Sequence, residues 1–243
     1  MIEAERQEME PNDPTRSGPP VPEGHGARLS LNETEQLCLK AARGAGMSWG
    51  LAEEAGFAAA WLAMRGLDGP GALLAQISDA AGRPWHELCP EIAPGRFRAS
   101  ADGALCPIAL GAALCDHARL PEGEMDGRAL RIGPVSHPIL LLAFLSDLAR
   151  MRCGGLSLDW PGGRVMLDAT GGVSGDTALL MTETGLEAEL STGPVPSVPL
   201  QPAERPLISA ATLGGLNAFA MRTTVPASEA SRAGAGAGTG DND

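Results

Sequence analysis

The spacing of apolar positions changes part-way along the chain, and the change divides it into a helical half and a strand-rich half. Ser30-Leu31-Asn32-Glu33 has the S-x-x-E form of a capping box, in which the serine hydroxyl and the Glu33 carboxylate meet the first free amides of a helix. Leu31, Leu37, Cys38, Ala41, Ala42 and Ala45 then give an apolar stripe, with Glu33, Gln36, Lys40 and Arg43 on the other face. Gly44 and Gly46 stop that helix. A second helix is predicted from Ser48 to about Arg65. Leu51, Ala55, Ala58, Ala59 and Leu62 form one of its stripes and Phe57, Trp61 and Met64 another, so it is buried on two sides. Ala52, Ala55, Gly56, Ala59, Ala60 and Ala63 let its backbone approach a neighbour closely, which predicts an αα-hairpin with a tight glycine turn.

Beyond it, residues 66–71 are expected to turn and 72–81 to form a third helix, while 82–104, with Pro84, Pro90 and Pro94, reads as irregular. Residues 105–119 favour a helix and 128–135 alternate as a strand. Ser136 is placed as an N-cap with Pro138 in the first turn of an apolar helix over 139–152, closed by Gly154-Gly155. From Leu156 the period becomes two. Strands are expected at 156–160, 164–168, 177–182 and 186–191, separated by PGG, TGGVSG and ETG turns, as a short antiparallel meander. Residues 194–206, with five prolines, read as a linker and 207–221 as a last helix. The predicted class is α+β, with one domain over 28–222 between a Pro/Gly-rich acidic tail (1–27, expected to be disordered) and a Gly/Ala-rich acidic tail (223–243).

Composition narrows the function classes. A formal charge of −12 and a single lysine, Lys40, argue against a nucleic-acid or anionic-membrane surface, which needs clustered cations. Aromatics at 3%, with no tyrosine, remove the usual base-stacking platform. The chain opens with no basic-then-apolar leader, and its longest apolar run, 138–145, is too short to span a bilayer. Five scattered cysteines are expected as reduced thiols of a soluble cytoplasmic protein.

The blocks LSLNE and KAARGAGMSWGLAEEAG, the VSHPILLLAFL helix and the ending RTTVPASEASRAGAGAGTGDND resemble a family of uncharacterised bacterial proteins, a domain-of-unknown-function family. That resemblance implies an order of parts and no activity. Composition alone reads 233–243 as disordered, whereas the resemblance implies that the tail docks; residues 222–232 are then expected to return near residues 40–56, held by packing of Val225 and Pro226. A fainter likeness links GAGMSWGLAEEAGFAAAWLAMRGLDG to the early helices of the malate/sulfolactate-type dehydrogenases. Their Ser-His-Gly motif would follow, and here Gly69-Pro70-Gly71 stands instead.

Candidate chemistry gathers in residues 40–56. Lys40, the one amine among arginines, and Glu53 are the catalytic candidates, against their simpler reading as a C-terminal helix cation and a dipole-facing carboxylate. Glu53 is preferred to Glu54 because Glu54 shares a face with Ala58 and Trp61. Arg43, Trp49, Ser228 and Arg232 are candidates for ligand binding. Cys115-Asp116-His117 directs its thiol and imidazole to different helix faces, His86, Cys89 and Cys106 lack zinc-ligand spacing, and Gly171–Gly175 reads as a hairpin turn between strands. His137 stands at a helix start, where anions bind, though a structural cap is its simpler reading. Neither a metal nor a cofactor is expected. Two functions follow from the pattern. One is an accessory or interaction protein that docks through its Ala/Gly-rich helices and C-terminal motif. The other is a small-molecule metabolic enzyme, or enzyme subunit, built around Lys40, Arg43 and Glu53. The partner is a protein or a small anionic molecule, and self-association is open.

Overall fold

The computed structural model of the protein describes residues 26–100, 103–125, 127–193, 205 and 207–223. Its helical layer begins with α1 (Leu31–Gly44) and α2 (Trp49–Met64). The capping box forms in full: the Ser30 hydroxyl accepts from the Glu33 amide at 3.1 Å, and the Glu33 carboxylate accepts from the Ser30 amide at 2.7 Å. Ser48 caps α2 by accepting from the Leu51 amide. Alanines of α2 and its Leu62 are fully buried, because α1, α3 (Gly69–Asp79), α5 (Pro107–Asp116) and α6 (Leu141–Arg152) all pack around it. Phe144 of α6 joins three of these helices. Its ring lies over Gly111 of α5 and meets Phe57 of α2 edge-on, with centroids 6.4 Å apart. The last helix, α8 (Ala210–Ala220), lies along α1, with the Phe219 carbonyl against Gly44.

Seven strands make one sheet among the described residues: β1 (Pro90–Ala93), β2 (Arg96–Ala99), β3 (Leu130–Val135), β4 (Gly155–Trp160), β5 (Gly163–Leu167), β6 (Val173–Gly175) and β7 (Leu186–Gly193). Their order is β1-β2-β3-β7-β4-β5-β6, antiparallel except for the β2–β3 pair. Phe97, Leu130, Ile132, Leu156, Leu158, Val165, Leu167, Ala188 and Leu190 turn one face of this sheet toward the helices. The fold is therefore α+β, with N-terminal helices and the sheet concentrated in the second half of the chain.

Several local expectations are corrected. Helix α3 starts at Gly69 and not Ala72, because the Asp68 carboxylate caps the Gly71 amide at 2.9 Å and Pro70 occupies a first-turn position that needs no N–H. Residues 82–104 are not irregular: they hold the short helix α4 (Trp85–Leu88) and the β1–β2 hairpin, with Gly95 at φ 75° in its turn. Pro90 is tolerated there as the first residue of an edge strand. The segment predicted as a strand at 177–182 is a short helix, α7 (Thr177–Thr182), since so short an apolar run carries no decisive period. The four-strand meander is thus three strands, β4-β5-β6, and β7 returns to lie between β3 and β4. Ser136 is not an N-cap. Its buried hydroxyl bonds Gln76 Oε1 at 2.6 Å and the Leu105 carbonyl oxygen at 2.9 Å, and the left-handed His137 leads into the 3-10 turn Pro138–Leu140. Cys153, at φ 50°, closes α6 in place of the expected glycine. Ala27, assigned to the tail by composition, pairs with Ile208 through two backbone hydrogen bonds. The predicted linker, apart from Arg205, and the C-terminal tail lie outside the described residues.

A side chain at Gly56 would place its Cβ 2.7 Å from the Glu35 carbonyl oxygen and 3.2 Å from Leu39 Cβ. Gly56→Leu is therefore expected to destabilise the fold by about 1–3 kcal/mol or more through overpacking. Gly50 has nothing within 4 Å of that position, so Gly50→Ala is expected to stabilise by about 0.4–1 kcal/mol. Urea unfolding midpoints of the two variants, moving in opposite directions from the parent, check this pair.

Candidate functional site

The strand face turned away from the helices carries charge. Cross-strand register places Arg96 opposite Arg131, Arg131 opposite Glu189, Glu189 opposite Asp159 and Asp159 opposite Arg164, one row across five strands. Arg131 Nε lies 3.4 Å from Glu189 Oε1. Asp159 accepts from Arg164 Nε and, at 2.6 Å, from the Ser157 hydroxyl. One pleat along β2, Arg98 pairs with Glu91 of β1 at 3.3 Å. The Arg96 side chain makes no hydrogen bond or ion pair among the described residues. Of these residues, Arg96, Arg98, Arg131, Asp159 and Glu189 border a groove of about 640 Å³ over β2, β3, β7 and the end of β4. Ile132, Gly133, Pro134, Trp160, Pro161 and Glu187 complete much of its wall. That volume falls in the range of small-molecule sites. Trp160 is 8% exposed, packs against the β4–β5 turn, and keeps its indole N–H buried without a hydrogen-bond partner.

The residues singled out from the sequence lie elsewhere. Lys40 and Glu53 are exposed on α1 and α2. Arg43 and Trp49 do come together: the guanidinium sits 4.8 Å from the centroid of the indole, which is 64% exposed, and donates to the Met47 carbonyl. The Trp85 indole donates to the Gly46 carbonyl at 2.9 Å and pins the same turn. Ser228 and Arg232 lie outside the described residues. Glu54, set aside in favour of Glu53, is half-buried. Burial, and then the charges of Asp116 and Glu53, hold its carboxyl above the usual range. The alanines and Gly56 of α2 are buried against other helices.

The remaining clusters are structural. His137 Nε2 bonds Asp79 Oδ2 at 2.8 Å, tying the residue ahead of the 3-10 turn to the end of α3. Cys115 donates to the Phe144 carbonyl, whereas His117 Nδ1 lies 2.9 Å from the Ala113 carbonyl, so the two rings of chemistry do not meet. Among the described residues no group of His, Cys, Asp and Glu is placed to hold a metal ion. Gly171 and Gly172 form the turn between β5 and β6, where Asp168 accepts from the amides of Thr170 and Gly172 at 2.8 Å each. All five cysteines are free. Burial pushes the Cys38 thiol up to about 12 and the Cys106 thiol up to about 11. Burial, with Glu54 and Asp116 nearby, pushes Cys115 up to about 11. These three are protonated at neutral pH and are poor nucleophiles.

The groove escaped the sequence analysis because its key strand lay in the stretch read as irregular. The alternation Arg96-Phe97-Arg98 was the available signal, matched by Leu130-Arg131-Ile132 on the next strand.

Residues 29–105 match the model of a family described as Protein of unknown function (DUF3726), a stretch that runs from α1 through β2. Over this stretch the chain is similar to an uncharacterised domain-of-unknown-function family. No curated protein and no solved structure matches the chain.

Thiols in the unfolded chain ionise near pH 8.5–9, below the folded values of Cys38 and Cys106. The unfolded state therefore loses protons first as pH rises. Stability is expected to be full below about pH 9 and to fall above it, on the order of 1.4 kcal/mol per pH unit for each thiol. Urea midpoints between pH 8 and pH 10.5 check this, and the double variant Cys38→Ala, Cys106→Ala flattens the decline.

Proposed function

We propose that this is a non-catalytic accessory protein that binds its partner in the groove on the helix-free face of the sheet. The observation that carries the reading is the groove's lining: Arg96, Arg98 and Arg131, the carboxylates of Asp159, Glu187 and Glu189, of which Glu189 meets Arg131, and apolar surface. Such a set recognises charge and shape, and it places no thiol, imidazole or hydroxyl against a ligand. A site around Lys40, Arg43 and Glu53 has less support, because Lys40 and Glu53 are solvated and only Arg43 and Trp49 are in contact. Among the described residues no helix is long and apolar enough to cross a membrane. Residence in the cytoplasm is part of the proposal and rests on the five free cysteines.

Screening a library of small fragments against the full chain by backbone-amide NMR tests the reading. Hits are expected to shift amides of 96–99, 131–133, 159–160 and 187–189. Hits confined to the turn that holds Arg43 and Trp49 would overturn it.

A further inference from the structure

We infer that the β2–β3 end of this groove is an anion subsite, in which Arg96 and Arg131 grip the carboxylate or phosphate group of a small ligand. The inference rests on the groove being the working surface and goes further by naming the ligand's chemistry. The chain carries 18 basic against 30 acidic residues, yet Arg96, Arg98 and Arg131 stand together on the outer face of two adjacent strands. Arg96 and Arg131 are directly opposite in register, an arrangement that is unfavourable between like charges unless something negative lies across them. The protein's own acids do not fill that role. Glu91 takes Arg98, and Glu189 reaches Arg131 only at Nε, from the β7 side. Arg96 has no acid of its own among the described residues.

Elsewhere on this face each arginine of the row meets a carboxylate, as Arg164 does with Asp159. The departure at Arg96 is therefore local and coincides with the groove wall. Arginines at facing positions can both donate to one group, and guanidinium N–H forks suit carboxylate or phosphate oxygens. Glu187 and Glu189 border the same groove on β7 and repel an anion, so the negative group is confined to the β2 side. The rest of the ligand then lies along Pro134 and Pro161. The ligand is thus a small molecule with one anionic head and a less polar body. A nucleic acid or an anionic bilayer would meet Glu187, Glu189 and Asp159 beyond the arginines.

The test titrates the full chain at low salt with succinate and, separately, with inorganic phosphate, following backbone amides and heats of binding. Saturable shifts at 96–99 and 131–133 are expected for at least one probe. Which probe binds more tightly separates a carboxylate head from a phosphate head. Arg96→Ala and Arg131→Ala are each expected to weaken binding by about tenfold or more, and added NaCl to weaken it further. Arg164→Ala, at the far end of the row, is expected to leave it unchanged. Arg96 is exposed, and an unchanged amide spectrum confirms that its variant folds. Absence of saturable shifts at these amides with either probe, or equal affinity in Arg96→Ala, overturns the anion subsite. Uncharged fragments that still bind in the groove would then leave the groove reading standing while the anion inference falls.

Discussion

The architecture depends on how closely α1 and α2 can approach. Gly56 sits where the Glu35 carbonyl of α1 leaves no room for a Cβ, and around it the buried face of α2 is made of alanines. Without bulky side chains to hold the axes apart, the two backbones come into direct contact and dispersion acts over a continuous surface. Burial on every side then follows: α3, α5 and α6 find α2's remaining faces, and Phe144 closes the space above Gly111. A single helix thus organises the layer on which the sheet rests.

Among the described residues that layer covers one face of the sheet, and the other face carries charge. Alternation along β2, β3, β7 and β4 puts every second residue there, so the arginines and acids of the outer row are fixed in register by the same pleat that buries Phe97, Ile132, Ala188 and Leu158. Exposed ion pairs of this kind contribute only about 0–1 kcal/mol each. They do little for stability, and for that reason a ligand can rearrange them at small cost. The groove's chemistry is separable from the fold's energetics, which reside in the helices and the inner sheet face.

The polar groups inside the protein act differently. Ser136 and Gln76, both buried, bond to each other and join α3 to the segment that follows β3. Asp168 organises the β5–β6 turn, and Arg65, stacked 3.3 Å over Trp61, reaches that turn through the Gly171 carbonyl. Each of these contacts satisfies a group whose burial would otherwise destabilise the native state. They hold the two layers in one relative position.

The sequence by itself determined the helical hairpin, the capping box at Ser30, the N-cap at Ser48 and the buried helix over 141–152. These rest on local periodicity and on side chains that bond within one turn. It also determined the α+β class and the alternation of β3, β4, β5 and β7, because a half-buried strand writes its two faces into consecutive residues. Tertiary structure alone decided the rest. Ser136, a good cap by local rules, found a better partner sixty residues away in Gln76. Residues 177–182 form a helix, because Val173–Gly175, and not that segment, pairs with β5. The groove exists only because the parallel β2–β3 pair sets Arg96 beside Arg131, thirty-five positions apart in the chain. No local pattern brings those two together; the register of a sheet assembled from distant segments does.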